Sequence, residues 1–133
     1  MYDIQNIFQI LHDIQEVDLT KYKNEDDFEE IVYQKLNERL ENKIFLRRQG
    51  TNTREGRITK PDIVIGLNDI LIELKFKLEK LNDIYRLFYQ AIKYSKIAKK
   101  LLILFLYDPK KLLLDSDIED LESINKVKVI RII

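Results

Sequence analysis

The sequence contains no cysteine and a single histidine among its 133 residues. The lack of cysteine excludes disulfide bonds and thiolate metal sites. A single histidine excludes zinc sites built from several imidazoles. Any metal ion bound by this chain must therefore be held by oxygen ligands, which carboxylates, backbone carbonyls and water supply.

Long apolar runs and glycine-rich motifs are also missing. No run reaches 18 uncharged apolar residues, and the N-terminus lacks the basic, apolar and small-residue order of a signal peptide. The three glycines form neither a P-loop nor a dinucleotide-binding motif, and no Ser/His/Asp set indicates a hydrolase triad. We therefore expect an intracellular, cytoplasmic protein with no membrane segment and no small-molecule cofactor.

The chain has no net charge, because 23 basic residues balance 23 acidic ones, but the charges are unevenly spread. Residues 43–60 contain six basic residues and one acidic residue, and residues 75–100 contain eight basic and two acidic residues. Two basic stretches that flank an acidic hairpin suit the phosphate backbone of a nucleic acid. The alternative is that they are ordinary solvated charges of helices and loops.

The centre of the chain is predicted to form a β-hairpin. Residues 62–66 and 70–76 are rich in Ile, Val, Leu and Phe, and the segment between them has hairpin-loop composition. By the period of two, Glu73 and Lys75 share one face of the second strand. A loop of two or four residues, or a β-bulge, would place Asp62 on that face as well. A metal ion or Lys75 must then offset the charge of the buried carboxylates.

Hydrophobic periodicity predicts the remaining elements. The expected helices cover residues 2–17, 24–41, 79–100 and 117–124, and the expected further strands cover residues 43–49, 101–107 and 127–133. The helix over 79–100 is predicted to turn seven apolar residues inward: Leu81, Ile84, Leu87, Phe88, Ala91, Ile92 and Ile97. This order predicts an α/β protein with a mixed central sheet flanked by helices, folded as a single domain over residues 1–133.

The residues Pro61-Asp62, followed after ten residues by Glu73-Leu74-Lys75, resemble the signature of the PD-(D/E)XK nuclease superfamily. This superfamily includes restriction enzymes, archaeal Holliday-junction resolvases and RecB-type exonucleases. The resemblance implies that Asp62, Glu73 and the backbone carbonyl of Leu74 bind Mg²⁺ (or Mn²⁺). It also implies that Lys75 activates or orients the attacking water.

The order of the predicted helices and strands resembles that of the same superfamily. The resemblance implies a restriction-endonuclease-like core, αβββαβ, over about residues 24–107, followed by a further helix and a C-terminal strand. Residues 1–20 would then be an N-terminal helical extension placed before that core.

Two further features resemble this family. A glutamate of its first helix commonly faces the site, and helical projection favours Glu29 for this role, with Glu25 and Glu30 behind it. Gln90 and Tyr94, stacked at i and i+4, resemble the third motif of RecB-type nucleases, in which the Gln and Tyr line the site and contact substrate. The structural alternatives are a solvated helix N-terminus for the glutamates and the edge of a core helix for the Gln and Tyr pair.

Basic residues near the hairpin are candidates for contacts to DNA. Arg47 and Arg48 lie in the strand predicted over residues 43–49. Arg54, Arg57 and Lys60 follow, in and after a polar segment with two glycines that is typical of a loop. Arginines in such a loop can reach the phosphates of a DNA strand, although solvated arginines without a role are the alternative.

Together these features predict a divalent-metal-dependent DNA nuclease that hydrolyses phosphodiester bonds, with an endonuclease favoured. One alternative is a catalytically inactive DNA-binding module of the same fold. Another is a structural protein in which Asp62, Glu73 and Lys75 form an ion-pair network.

A homodimer is also expected, because cutting two strands at a defined offset is most directly met by two sites related by a two-fold axis. The predicted N-terminal helix carries an apolar stripe that needs a partner and consists of Ile4, Ile7, Phe8, Leu11 and Ile14. Docking of this stripe onto its own domain is the rival interpretation.

Overall fold

The computed structural model describes residues 4–15, 24–40, 46–48 and 61–133. In these ranges the elements in chain order are α1 (Ile4–Gln15), α2 (Glu25–Leu40), β1 (Leu46–Arg48), β2 (Ile63–Ile65), β3 (Ile70–Phe76), α3 (Leu81–Ser95), β4 (Leu101–Tyr107), α4 (Asp115–Glu122) and β5 (Val127–Ile132). Each helix and strand predicted from the sequence has a counterpart in this order. None of the helices in the described ranges combines the length and the apolar character needed to span a lipid bilayer.

The strands form one open mixed sheet in the order β1-β2-β3-β4-β5. The β1–β2 and β2–β3 pairs are antiparallel, whereas the β3–β4 and β4–β5 pairs are parallel. The parallel pairs follow from the connections, since α3 returns the chain between β3 and β4, and α4 does so between β4 and β5. The prediction of an α/β fold with a mixed central sheet flanked by helices is confirmed.

Helices cover both faces of the sheet, so its central strands are apolar on both sides. One core combines α1 and α2 with a set of sheet residues that includes Ile72, Leu74 and Phe105. The other core combines α3 and α4 with sheet residues that include Leu71 and Leu104. Since side chains alternate along β3, its Glu73 and Lys75 share the face of Leu71 and lie on the α3 side.

The N-terminal helix docks onto its own chain. Ile7, Ile10 and Leu11 of α1 are buried in the core that α1 shares with α2 and β5, and Ile4 and Phe8 pack against that core. The docking alternative therefore describes α1, and an uncovered α1 stripe no longer argues for a homodimer. The side chain of Ile14, the last residue of the predicted stripe, lies outside the described residues.

Helix α3 ends about five residues before the predicted boundary. It stops at Ser95, because the Lys99 and Lys100 N–H groups donate to the Asn68 and Asp69 carbonyls at 2.8 and 2.9 Å. These tertiary hydrogen bonds draw the chain onto the start of β4. The sequence offers no glycine or proline at this point that would have marked the end of the helix.

The burial of the apolar residues in and just after α3 also differs from the prediction. Ile84, Leu87 and Ala91 are buried as expected. Three residues predicted to face inward are instead exposed, namely Leu81 (60%), Ile92 (48%) and Ile97 (41%). Gln90 and Tyr94 take two of the buried positions on α3. Fewer buried positions are therefore left for apolar residues than the apolar content of the helix implied.

The β2–β3 loop has four residues and fixes the register of the hairpin. Gly66 and Asn68 take left-handed conformations with φ of 70° and 62°, and the Asp69 N–H donates to the Ile65 carbonyl at 3.1 Å. A Cβ on Gly66 would lie 2.7 Å from the Asp69 Oδ2 atom. Glycine is therefore favoured at this position by both backbone conformation and space.

We predict that Gly66→Ala lowers the free energy of unfolding by about 1–2 kcal/mol, because alanine is strained in the left-handed region. Urea unfolding followed by circular dichroism measures this change. The control is Leu67→Ala in the same loop, whose side chain is 70% exposed and whose replacement should change stability little. Equal stability of the two variants would contradict the role given to Gly66.

Candidate functional site

Asp62 and Glu73 lie opposite each other across the β2–β3 hairpin. The antiparallel register pairs Ile63 with Ile72 and Ile65 with Ile70. Continued by one residue, it places Asp62 opposite Glu73, as a four-residue loop predicts. Directly opposed residues point to the same face of a sheet, so both carboxylates lie on the α3 side, where Lys75 also lies.

Both carboxylates are buried, with exposed fractions of 9% for Asp62 and 3% for Glu73. The Leu74 N–H donates to Asp62 Oδ2 at 2.8 Å, and the Lys75 Nζ lies 3.3 Å from Glu73 Oε2. Glu73 Oε1 is buried and has no hydrogen-bond partner, and the neighbouring Asp62 carboxyl can share a proton with Glu73. A buried carboxylate oxygen without a partner is costly, so this atom marks where a cation or donor would be stabilising.

Burial is the main electrostatic perturbation of the pair. Burial raises the pKa of the Asp62 carboxyl well above its ordinary range, the charge of Glu73 raises it further, and the Leu74 N–H opposes both effects. Burial likewise raises the pKa of Glu73, while the Lys75 ammonium acts against that rise. One lysine therefore does not neutralise two buried carboxylates, and the pair favours a bound proton or another cation.

The N-terminus of α2 contributes two more carboxylates. Phe28 anchors this end of the helix, because its ring packs against the rings of Phe76 at 5.6 Å and Phe105 at 5.4 Å. Glu29 is buried, with 3% exposure, and its charge adds to the rise in the pKa of Asp62. Glu29 is thus within electrostatic range of Asp62, although within the described ranges it does not converge with Asp62 and Glu73 as a cluster of three carboxylates.

Glu25, the second candidate on this helix after Glu29, lies within electrostatic range of both Asp62 and Glu73. It accepts a hydrogen bond from the Phe76 N–H, and its charge raises the pKa values of both Asp62 and Glu73. Its spacing of four residues from Glu29 is the sequence signal that puts both on one helix face. Glu30 is exposed and accepts a hydrogen bond from Gln34 at 3.4 Å, so it faces away from the pair.

Helix α3 carries Gln90 and Tyr94 on its buried side. Gln90 is 3% exposed, and its Oε1 atom has no hydrogen-bond partner. Tyr94 is fully buried, and its pKa is raised by burial first and then by the charges of Glu73 and Asp62. Both Gln90 and Tyr94 are therefore on the buried side of α3, and the charges of Asp62 and Glu73 act on Tyr94.

A cavity of about 290 Å³ opens between the end of β3 and the start of α3, and Glu25 and Lys75 line it, whereas Asp62 and Glu73 do not. Its charged lining consists of Glu25, Lys75, Lys77, Glu79, Lys80, Asp83 and Arg86. Arg86 was not predicted as a site residue from the sequence. It lies four residues before Gln90, and that helical spacing is the signal that could have identified it.

The basic residues predicted to contact DNA are only partly described. Arg47 and Arg48 lie in β1, where their backbones pair with Val64 and Ile63. Their side chains, like the whole of Arg54, Arg57 and Lys60, lie outside the described residues.

Mg²⁺ fits the donor set present at the pair. The carboxylates of Asp62 and Glu73 supply hard oxygen ligands, and Glu73 Oε1 lacks a hydrogen-bond partner. Within the described ranges no three Asp, Glu or His side chains converge as a preformed metal cage. Mg²⁺ is usually held by one or two carboxylates, with waters and substrate phosphates completing its shell, so a cage of three is not required.

We predict that metal-free Asp62→Asn is more stable than the wild type at pH 8, by about 1–4 kcal/mol, because asparagine is neutral without the proton that the buried Asp62 carboxyl must take up on folding. The raised pKa values mean that the folded state retains protons which the unfolded chain releases above about pH 4. Wild-type stability should therefore fall as the pH rises from about 4 through neutrality, and the fall should be smaller in the variant.

Urea unfolding in EDTA across this pH range tests the prediction. Asp120→Asn, at an exposed position on α4, is the matched control and should follow the wild-type curve. Parallel curves for the wild type and Asp62→Asn would show that folding does not raise the pKa of Asp62.

The chain was compared with protein-family models, with curated proteins and with solved structures, and none of them matches it.

Proposed function

We propose that this chain is a divalent-metal-dependent DNA nuclease with a restriction-endonuclease-like core. The observation that carries the proposal is the buried, opposed Asp62 and Glu73 pair with Lys75 at 3.3 Å and a Glu73 oxygen without a hydrogen-bond partner. This combination matches the chemistry of phosphodiester hydrolysis, which needs oxygen ligands for a hard cation and a cationic side chain beside the reacting phosphate.

The site residues have separate roles in this proposal. Asp62, Glu73 and the carbonyl of Leu74 would hold Mg²⁺ (or Mn²⁺), and Glu29 would add an oxygen directly or through water. When bound, such an ion stabilises negative charge on a phosphate and lowers the pKa of a coordinated water. Lys75, held 3.3 Å from Glu73 Oε2, would orient the attacking water or stabilise the charge that develops on the phosphate.

Gln90 and Tyr94 are proposed to position the substrate from α3. The unpaired Oε1 of Gln90 can accept a hydrogen bond from a water or substrate group. The Tyr94 hydroxyl, whose pKa is raised, stays protonated at neutral pH and can donate a hydrogen bond. Neither residue transfers a proton in this scheme.

A purely structural ion-pair network is less well supported. Such a network balances its charges, because an uncompensated buried charge is strongly destabilising. Here Asp62 and Glu73 face one lysine, and the charges of Glu25 and Glu29 raise the pKa of Asp62 further. An acidic excess in a buried position suits a cation-binding site more than a stabilising network.

Arg47, Arg48, Arg54, Arg57 and Lys60 remain the proposed contacts to DNA phosphates, since they precede Asp62 along the chain. An endonuclease is favoured over an exonuclease only by the resemblance to restriction enzymes and resolvases. Because α1 docks onto its own chain, the described residues offer no surface that argues for a homodimer. The proposal of a homodimer is supported only by the need for two sites to cut two strands.

We predict that the protein cleaves DNA in Mg²⁺ or Mn²⁺ but not in EDTA. Asp62→Asn, Glu73→Gln and Lys75→Ala should each lower the cleavage rate by about 10²–10⁴-fold, because each removes a ligand or charge needed in the transition state. The measurement is a time course on supercoiled, linear and branched DNA with fluorescent ends.

Matched controls are Glu119→Gln and Lys128→Ala, two exposed positions on α4 and β5 that should cleave at the wild-type rate. Wild-type cutting by any of the three site variants, or cutting in EDTA, refutes the site assignment. DNA binding without cleavage by the wild-type chain supports the inactive binding module instead.

A further inference from the structure

The outward face of α3 combines exposed aromatic residues with positive charge. Tyr85 and Tyr89 are 61% and 59% exposed, on a part of the helix that the sheet does not cover. Arg86 and Lys93 lie beside them, and the Lys93 Nζ sits 5.8 Å from the centroid of the Tyr89 ring. Leu81 and Ile92 on the same arc of α3 are also exposed, and a contiguous patch of this kind often marks an interaction site.

Helical geometry orders these residues across the surface of α3. With about 100° between successive residues, Arg86 and Lys93 lie between the site-facing Gln90 and the exposed Tyr89, with Tyr85 beyond. The described part of α3 has one acidic residue, Asp83, whose carboxylate accepts the Glu79 and Lys80 N–H groups at 2.8 and 3.0 Å. A band of positive charge therefore separates the site from the two tyrosines.

The cavity links one residue of this band, Arg86, to the lysine beside the carboxylate pair. Arg86 and Lys75 both line it, and Lys75 is the residue next to Glu73 Oε2. A polyanion that enters the site from the α3 side would therefore pass Arg86 before it reaches Lys75. Because the basic residues of α3 lead towards Lys75, this face suits a nucleic-acid strand that also enters the site better than a partner that binds only the helix.

We propose that the outward face of α3 binds a single-stranded segment of the nucleic acid, with phosphates along Arg86 and Lys93 and unpaired bases stacked on Tyr85 and Tyr89. This inference rests on the proposed nuclease function and names the form of its substrate. Residues four apart on a helix are separated by about 6 Å along its axis, whereas bases within one duplex strand are about 3.4 Å apart. Two bases that stack on the two tyrosines must therefore be unstacked from each other, which a single strand allows.

A second copy of this chain fits the same face less well. A two-fold contact between α3 helices would use the same patch on both chains. It would bring Arg86, Lys93 and Lys96 of each copy towards those of the other. Like charges in such a contact oppose it, whereas the phosphates of a nucleic acid complement them.

Fluorescence anisotropy in EDTA separates binding from cleavage. The probes are a labelled 12-residue oligothymidylate and a duplex of equal length. The wild type should bind the single strand more tightly than the duplex. Tyr85→Ser and Tyr89→Ser should each weaken single-strand binding by about 10-fold, because each removes one stacking surface. Tyr85→Phe and Tyr89→Phe, which keep the ring, are the matched controls and should bind like the wild type.

Two further readouts test the geometry. Lys93→Gln should lower the slope of log K against log salt by about 0.7, the value for one phosphate of a single strand. The chain has seven tyrosines and no tryptophan, so stacking on two of them should quench a measurable part of the tyrosine emission when oligothymidylate binds. Both serine changes lie at exposed positions and should leave thermal unfolding unchanged.

The outcomes distinguish this inference from the nuclease proposal. Unchanged single-strand affinity in the two serine variants overturns it, even if the wild type cleaves DNA. Loss of single-strand binding in those variants supports the inference. If the wild type then cleaves no DNA, the nuclease proposal fails and this inference stands. Light scattering that shows a wild-type dimer and a monomeric Tyr85→Ser/Tyr89→Ser variant overturns it in favour of an interface between copies.

Discussion

Two carboxylates held against each other inside an apolar sheet are the constraint on which the rest of the site depends. Asp62 and Glu73 are buried, and one nearby ammonium group does not balance them. The unfolded chain hydrates both groups, so folding without a cation must desolvate charge or retain a proton. An arrangement that costs stability in the metal-free state is most simply explained by a function that uses it.

The surrounding elements hold the pair in position. The four-residue loop with left-handed Gly66 sets the hairpin register that opposes the two carboxylates. Phe28 locks the N-terminus of α2 onto Phe76 and Phe105, which brings Glu25 and Glu29 near the same end of β3. Because each contact belongs to a packed core, the acidic residues have little freedom to move apart.

The hairpin and its site could be predicted from the sequence because both depend on local rules. The period of two placed Glu73 and Lys75 on one face, and the loop length placed Asp62 with them. Asn24 was expected to start α2, and its Oδ1 accepts the Asp27 N–H at 2.9 Å. In each case, residues close in sequence determine the result.

Features set by distant contacts were not predictable in the same way. The end of α3 depends on the carbonyls of Asn68 and Asp69, which no helix signal encodes. The apolar stripe of α1 docks onto α2 and β5 of its own chain, and these contacts join residues that are far apart in sequence. The exposure of Leu81 and Ile92 depends on which arc of α3 the sheet covers, so an apolar pattern alone suggested burial.

The central claim is that Asp62 and Glu73 form a divalent-cation site, and calorimetric titration with Mn²⁺ tests it most directly. Titrations at pH 7 in two buffers of different ionisation enthalpy give both the affinity and the number of protons released. The account predicts saturable binding with proton release, because the raised pKa values leave the pair partly protonated. It predicts weaker binding and less proton release for Asp62→Asn and Glu73→Gln. Identical binding by the wild type and both variants, or no binding by the wild type at millimolar Mn²⁺, would contradict it.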